Sequence, residues 1–285
     1  MEEVVVVGQI ARDLVLVVDE VPDAGGTAPV RERREMLGGK GANIAVSLAQ
    51  LGAPVALVGV VGDDDVGERL IARAAADGIA TGAVVRRPDQ ETGLIVDVVA
   101  DGWRYLEHLP DALLVREEDL PVDLIEGAAA VVVQLQQPPE VALKAARAAR
   151  GRVVLDGAPE RLRAELLECA DVVRADHREA ELLTGRTIGT ADDAVSAARE
   201  LMPKELVAFA VDDVGNVFVW DGGELVVPLG DVEVVDTTGG GDAFVAALTF
   251  ALTRGDGPED AARLAVEASG ATVTHPGGRP NLTGR

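Results

Sequence analysis

Asp236-Thr237-Thr238-Gly239-Gly240-Gly241-Asp242-Ala243-Phe244 is the stretch from which the rest of the chain can be read. It follows a β-branched run at 232–235 and leads into an apolar segment whose Phe244, Leu248 and Leu252 fall at helical spacing. A strand that delivers three glycines to the start of a helix near Gly241 belongs to an α/β fold. Such glycines let the backbone turn tightly and aim bare N–H groups along the helix start, where the macrodipole is positive, which makes an anion pocket. Asp242 then places a carboxylate beside the anion, a conflict that a merely structural turn does not need. A proton acceptor next to a phosphate hole is what phosphoryl transfer to an alcohol requires. The plainer alternative is a glycine-rich loop with Asp242 as a helix-capping residue.

Moving outward, β-branched runs recur at Val4–Val7, 55–61, Ala130–Gln134, 153–156, 172–174 and 207–211, bounded by Gly, Asp or Pro and without strict alternation. These are predicted to be buried strands of a parallel sheet. Ala-rich amphipathic stretches lie between them at 43–51, 66–76, 139–149, 160–169, 179–183, 191–202, 243–252 and 259–272. Strand then helix, repeated, predicts a doubly wound, mainly parallel sheet flanked by helices. Four segments break the rhythm: 14–18, 28–37, 93–100 and 103–109 read as strands with polar alternation, and Asp101-Gly102 is a turn dipeptide between two of them. They predict a small antiparallel β lid built from about 13–37 and 92–110, within one domain spanning 1–285. A last hairpin, 217–220 and 224–228, is expected to close an antiparallel edge of the large sheet.

The length of 285 residues, with 48% apolar and 26% charged residues, suits a single large globular domain. Lys and Arg number 26 against 49 Asp and Glu, a net charge of −23 whose field repels nucleic acid and anionic lipid. Cys169 is the only cysteine, which excludes an internal disulfide and thiolate-clustered metal sites. The N-terminus lacks the basic and long apolar regions of a signal peptide, and no apolar run reaches membrane-spanning length, so a cytoplasmic location is expected.

In so acidic a chain a local anion site should stand out, and Lys40 does. Gly38-Gly39-Lys40-Gly41-Ala42-Asn43 runs into a helix: the glycines allow close ligand approach, Lys40 is a point charge, and Asn43 is an amide on the first helical turn. A Walker loop would need Ser or Thr where Gly41 stands, and no G-x-G-x-x-G follows the first strand, so a P-loop nucleotidase is excluded there and a dinucleotide dehydrogenase weakened. Asp13, just past the first strand, is placed either to accept hydrogen bonds from sugar hydroxyls or as an exposed turn residue. Asp176 and Glu179 could hold magnesium through water or simply form an acidic first turn. Asp63-Asp64-Asp65 reads as a turn and cap, and His108, His177 and His275 show no metal-ligand spacing.

Taken together, these motifs resemble the ribokinase-like sugar kinases, also called the phosphofructokinase-B type, over nearly the whole chain. Gly38 to Asn43 is similar to the family's first signature and Asp236 to Phe244 to its second. Gly62-Asp63-Asp64-Asp65-Val66-Gly67 and Glu179-Ala180-Glu181-Leu182-Leu183-Thr184-Gly185 are similar to two further segments. The resemblance implies ATP-dependent phosphorylation of a hydroxymethyl group, ribose being the default acceptor, by an α/β domain whose β lid often joins two subunits. It implies that Asp242 is the base and that the N–H groups of Gly239, Gly240 and Gly241 hold the transferring phosphoryl. Asp13, Gly39, Lys40, Asn43 and Gln136 would contact sugar, Asp176, Asp212 and Gly215 the nucleotide, and Glu179 magnesium through water. A monovalent cation such as potassium would sit near Asp236, Thr238 and Gly277.

Departures from the family pattern are Ala11 and Gln136 at two ribose contacts, Asp176 for the usual Asn, Ala210-Val211-Asp212 for Thr-Leu-Gly, and Gly240 for Ala. Gly240 is expected only to remove a methyl from the hole. A nucleoside or phosphosugar acceptor, or a sugar-binding sensor without turnover, stand as alternatives.

Overall fold

The structure, a computed structural model, describes residues 2–228, 238–274 and 281–283. The chain runs from β1 (Val4–Val7) into β2 (Ala11–Val18) and β3 (Val30–Gly38), then α1 (Lys40–Gln50), β4 (Val55–Gly62), α2 (Asp65–Ala76) and β5 (Val84–Arg87). A hairpin of β6 (Leu94–Val99) and β7 (Trp103–His108) precedes α3 (Val122–Gly127), β8 (Ala130–Gln134), α4 (Pro139–Ala148), β9 (Arg152–Asp156), α5 (Arg163–Cys169), β10 (Val172–Asp176) and α6 (His177–Thr184). The remainder comprises α7 (Ala191–Leu201), β11 (Leu206–Val211), β12 (Gly215–Trp220), β13 (Gly223–Val227), α8 (Gly240–Arg254) and α9 (Pro258–Thr272).

Among the described residues the large sheet has nine strands in the order β13-β12-β11-β10-β9-β8-β1-β4-β5. All neighbours from β11 to β5 are parallel, and the β11–β12–β13 edge is antiparallel, as the sequence led one to expect. The four valines of β1 are wholly buried because helices cover both faces. Val4 and Val6 belong to the core shared with α1, α2, α8 and α9, whereas Val5 and Val7 pack with the layer formed by α3 to α7.

The second sheet, ordered β3-β2-β6-β7, is the expected lid. Its two hairpins are antiparallel, but β2 and β6 join in parallel, Arg12 facing Leu94 and Asp13 facing Ile95. The reason is topological: β2 continues β1 and β6 follows β5, so both hairpins leave the same end of a parallel sheet. Two elements were not visible in the sequence. β5 is a half-buried edge strand, Val-Val-Arg-Arg, and α3 is only six residues long. The acidic run behaves as expected, with Asp64 capping α2 through the Gly67 amide at 2.7 Å.

Candidate active site

At the carboxyl ends of the central strands, where open α/β sheets bind ligands, lies a cavity of about 420 Å³ under the lid. The two glycine motifs meet there. α1 starts against the end of β1: a methyl on Gly41 would stand 2.5 Å from the carbonyl carbon of Gly8. Gly39, at a left-handed φ of 85°, passes so near Gln9 that a side chain would sit 2.8 Å from its carbonyl oxygen. This approach aims Lys40 and Asn43 into the cavity from the first turn of α1. From the opposite side Gly239, also left-handed, caps α8, whose first-turn N–H groups have no intrahelical acceptors.

Asp242 is buried on that first turn, and the Asn43 side-chain amide donates to its Oδ2 at 3.0 Å. Burial, with Asp156 adding to it, pushes the Asp242 carboxyl up from 3.8 to about 6 against the pull of Lys40, Asn43 and Arg174. The group is thus a proton acceptor matched to near-neutral pH. Burial works to lower the Lys40 ammonium, yet Asp156, Asp242 and Glu179 together hold it above its ordinary value, so it stays charged. Asp13 is 6% exposed and occupies the space over Gly38, where a methyl would lie 1.9 Å from its carboxyl carbon.

Asp176 lines the cavity and is the N-cap of α6, with Glu179 alone of the two in the acidic first turn that the plainer reading expected. Its Oδ1 accepts the Glu179 N–H and Glu179 Oε2 accepts the Asp176 N–H, both at 2.8 Å. Glu179 lies behind this box, its carboxyl raised by burial and by Asp156. Among the described residues no group of three or more His, Cys, Asp or Glu side chains could hold a metal directly. With one oxygen committed to the capping box, Glu179 fits contact with magnesium through water rather than a place in a full ligand cage.

Gln136 is exposed and accepts from Gln134 Nε2 at 2.6 Å, outside the cavity lining. Asp212 is exposed too, 3.1 Å from His177 Nδ1, and Gly215 begins β12 opposite Val211; neither is among the residues lining this cavity. Asp236 and Gly277 lie outside the described residues; Thr238 is at the cavity, hydrogen-bonded to the Tyr105 hydroxyl of the lid. Gly240 corrects the expectation of an emptier hole. A methyl there would meet Val273 Cγ1 at 2.7 Å, so α9 fills the space.

Sequence reasoning missed Arg174, Asp156 and the lid residues Ile95, Tyr105 and Glu107. Arg174 and Asp156 are buried, 7% and 1% exposed, and Arg174 Nη1 donates to Asp156 Oδ1 at 3.1 Å. A charge inside or at the end of a run of buried valines was the available signal.

The profile of the pfkB family of carbohydrate kinases matches residues 1–283. A ribokinase of Bacillus subtilis is 31% identical over 284 residues, covering 96% of this chain and 93% of its own. A 1-phosphofructokinase of Haloferax volcanii is 34% identical over 257 residues, covering 86% and 82%. The crystal structure of a ribokinase from Thermotoga maritima superposes with a TM-score of 0.84 at 27% identity, covering 98% of this chain and 95% of that one.

Proposed function

This chain belongs to the pfkB family of carbohydrate kinases, and from that premise we propose that it transfers the γ-phosphoryl group of ATP to a hydroxymethyl group of an uncharged monosaccharide, ribose first among the candidates. The observation that carries the reading is Asp242, a buried carboxylate of raised pKa at the mouth of a glycine turn, hydrogen-bonded to Asn43 and attracted by Lys40.

The acceptor hydroxyl donates to Asp242, its oxygen attacks the γ-phosphorus, and the bond to the bridging oxygen breaks to release ADP. Asp242 takes the proton. The N–H groups at the start of α8 stabilise the charge on the migrating group, held in a site from which the lid excludes water. Bound magnesium would neutralise charge on the nucleotide phosphates, with Glu179 holding it through water; of the residues for a potassium site, only Thr238 is among those described.

An uncharged acceptor is favoured over a phosphosugar by the lid. Asp13, Ile95 and Glu107 face one another across β2, β6 and β7, so this row presents two carboxylates to the cavity. The other face of the lid carries Leu14, Leu16, Val96, Val98 and Leu106, the last 65% exposed, and this apolar surface supports contact with a second copy of the chain, which measurement of the molar mass in solution by light scattering would test. Among the described residues no helix is long and apolar enough to cross a membrane, and reliance on ATP favours the cytoplasm.

The decisive experiment is ATP consumption against pooled pentoses, hexoses, nucleosides and phosphosugars, with product mass as the readout. A pentose or hexose monophosphate is expected, with Asp242→Asn slower by about 10²–10⁴-fold. Binding of sugar without any product, or an unimpaired Asp242→Asn, would overturn the reading.

A further inference from the structure

We propose that Arg174 is a further catalytic residue, a buried guanidinium that touches the migrating phosphoryl group beside the amides of α8, and that Asp156 is the positioning residue holding it there. The proposal rests on the kinase reading above and adds a cation to a hole otherwise built of backbone.

The placement follows from sheet register. Arg174 and Asp156 are directly paired residues of β10 and β9 and lie on the face of the sheet covered by α8. Asp156 fixes one edge of the guanidinium at 3.1 Å, and the Phe244 ring lies 5.9 Å from its central carbon. The opposite edge points at the glycine turn: Nη2 is 2.6 Å from where a side chain on Gly241 would begin. Arg174 therefore occupies the room that the absent side chain leaves, next to the first-turn amides, and it lines the same cavity as Asp242. Its Nε is buried and lacks a partner among the described residues, so the donor set of this side chain is not exhausted by the protein.

A purely structural role explains this poorly. Burying an ion pair at a sheet centre gains little over apolar packing, whereas a permanent charge aimed at an anion site has a use in the transition state. As the acceptor oxygen bonds to phosphorus and the bridging bond breaks, its electron pair passing to ADP and the hydroxyl proton to Asp242, negative charge spreads over the three equatorial oxygens. A fixed guanidinium there needs no reorganisation to meet it.

The test is steady-state kinetics of the full chain with Arg174→Ala, Asp156→Asn and both together, each with and without added guanidinium ion. Arg174→Ala is expected to lower kcat by about 10²–10³-fold, with the acceptor KM moving by less than about threefold and kcat partly restored by guanidinium, which leaves the wild type unchanged. At a pH well above the Asp242 midpoint, where the direct effect of Asp156 on that carboxyl no longer changes its ionisation, the double variant should be no slower than Arg174→Ala, because there Asp156 acts through the arginine. Should Arg174→Ala not fold, Asp156→Asn/Arg174→Met, which strands no buried charge, reads the same loss. A folded variant within about threefold of wild-type kcat, or a loss that guanidinium does not relieve, would overturn the proposal. Absence of product from the wild type itself would instead sink the kinase reading.

Discussion

Asn43 and Asp242, 199 residues apart in sequence, are joined by a 3.0 Å hydrogen bond from side-chain amide to carboxylate. The bond stabilises the charged form of Asp242, as does Lys40, while burial and Asp156 oppose it. Only the ionised form accepts a proton, so log(kcat/KM) should rise with pH and level off around a midpoint near 6. Asn43→Ala removes a stabilising partner and should move that midpoint upward. Lys40→Met, which removes the stronger of the two, should move it further. Asp156→Asn should move it down. pH–rate profiles of the four proteins decide the matter, and coincident midpoints would show that these groups do not set the base.

The same burial has a stability consequence. Asp242 has an ordinary value of 3.8 and a folded value of about 6, so between these the native state binds the extra proton. Its contribution is fully present below pH 3.8 and is lost as pH rises through about 6. Above that, keeping the carboxylate charged inside the fold costs on the order of 3 kcal/mol. Asp242→Asn should therefore raise the Tm at pH about 8 by several degrees while abolishing most activity, and lose that advantage near pH about 4. Thermal melts at the two pH values check it; a variant that melts lower at both would mean that the charge is not a strain on the fold.

Gly41 tests the backbone contact on which Lys40 and Asn43 depend. A methyl there would press to 2.5 Å on the backbone of Gly8, and a Cβ has no rotamer that could relieve it. Gly41→Ala should cost about 1–3 kcal/mol, as overpacking does, and should weaken acceptor binding because α1 must back away from β1. Gly52→Ala is not a fair control, since its φ is 88°; Gly127, with open space and an ordinary φ, is. Denaturant unfolding and acceptor KM of the two variants are expected to diverge, and equal behaviour would remove the steric argument.

How far sequence could reach follows from what each residue's signal depends on. The parallel strands were legible because burial on both faces makes each a continuous β-branched run, and α1 and α8 because glycine motifs sit at their starts. Lys40, Asn43 and Asp242 could be singled out locally, each lying beside a glycine turn. Arg174 and Asp156 carried only the hint of a charge in a run of valines, and what that charge does emerges only when register sets β10 beside β9. Tyr105 and Glu107 depend on the lid's pairing in the same way, and the exposed strand β7 offers no periodicity of burial to reveal it. Gln136, Asp212 and Gly215 came from family resemblance, and their side of the chain lies outside the cavity lining.

Glu107 offers a test of acceptor charge. It shares a cross-strand row with Asp13 and Ile95, on a strand whose side chains are exposed, and it lines the cavity from the lid. A carboxylate there repels a second phosphate on the acceptor, whereas a neutral sugar can donate hydroxyls to it. Glu107→Lys reverses the charge near the acceptor without touching Asp242 or the glycine turn. Being partly solvated, the site should show a screened effect of about 1–1.5 kcal/mol, or roughly tenfold. The variant is therefore expected to raise the KM for the neutral sugar and to shift the ratio of kcat/KM, phosphosugar over neutral sugar, upward by about that factor, the shift shrinking as salt is added. Competition between the two acceptors at low and high ionic strength measures it. A ratio indifferent to the charge at position 107 would mean that Glu107 does not select the acceptor, and that selection rests with Lys40 and Asp13.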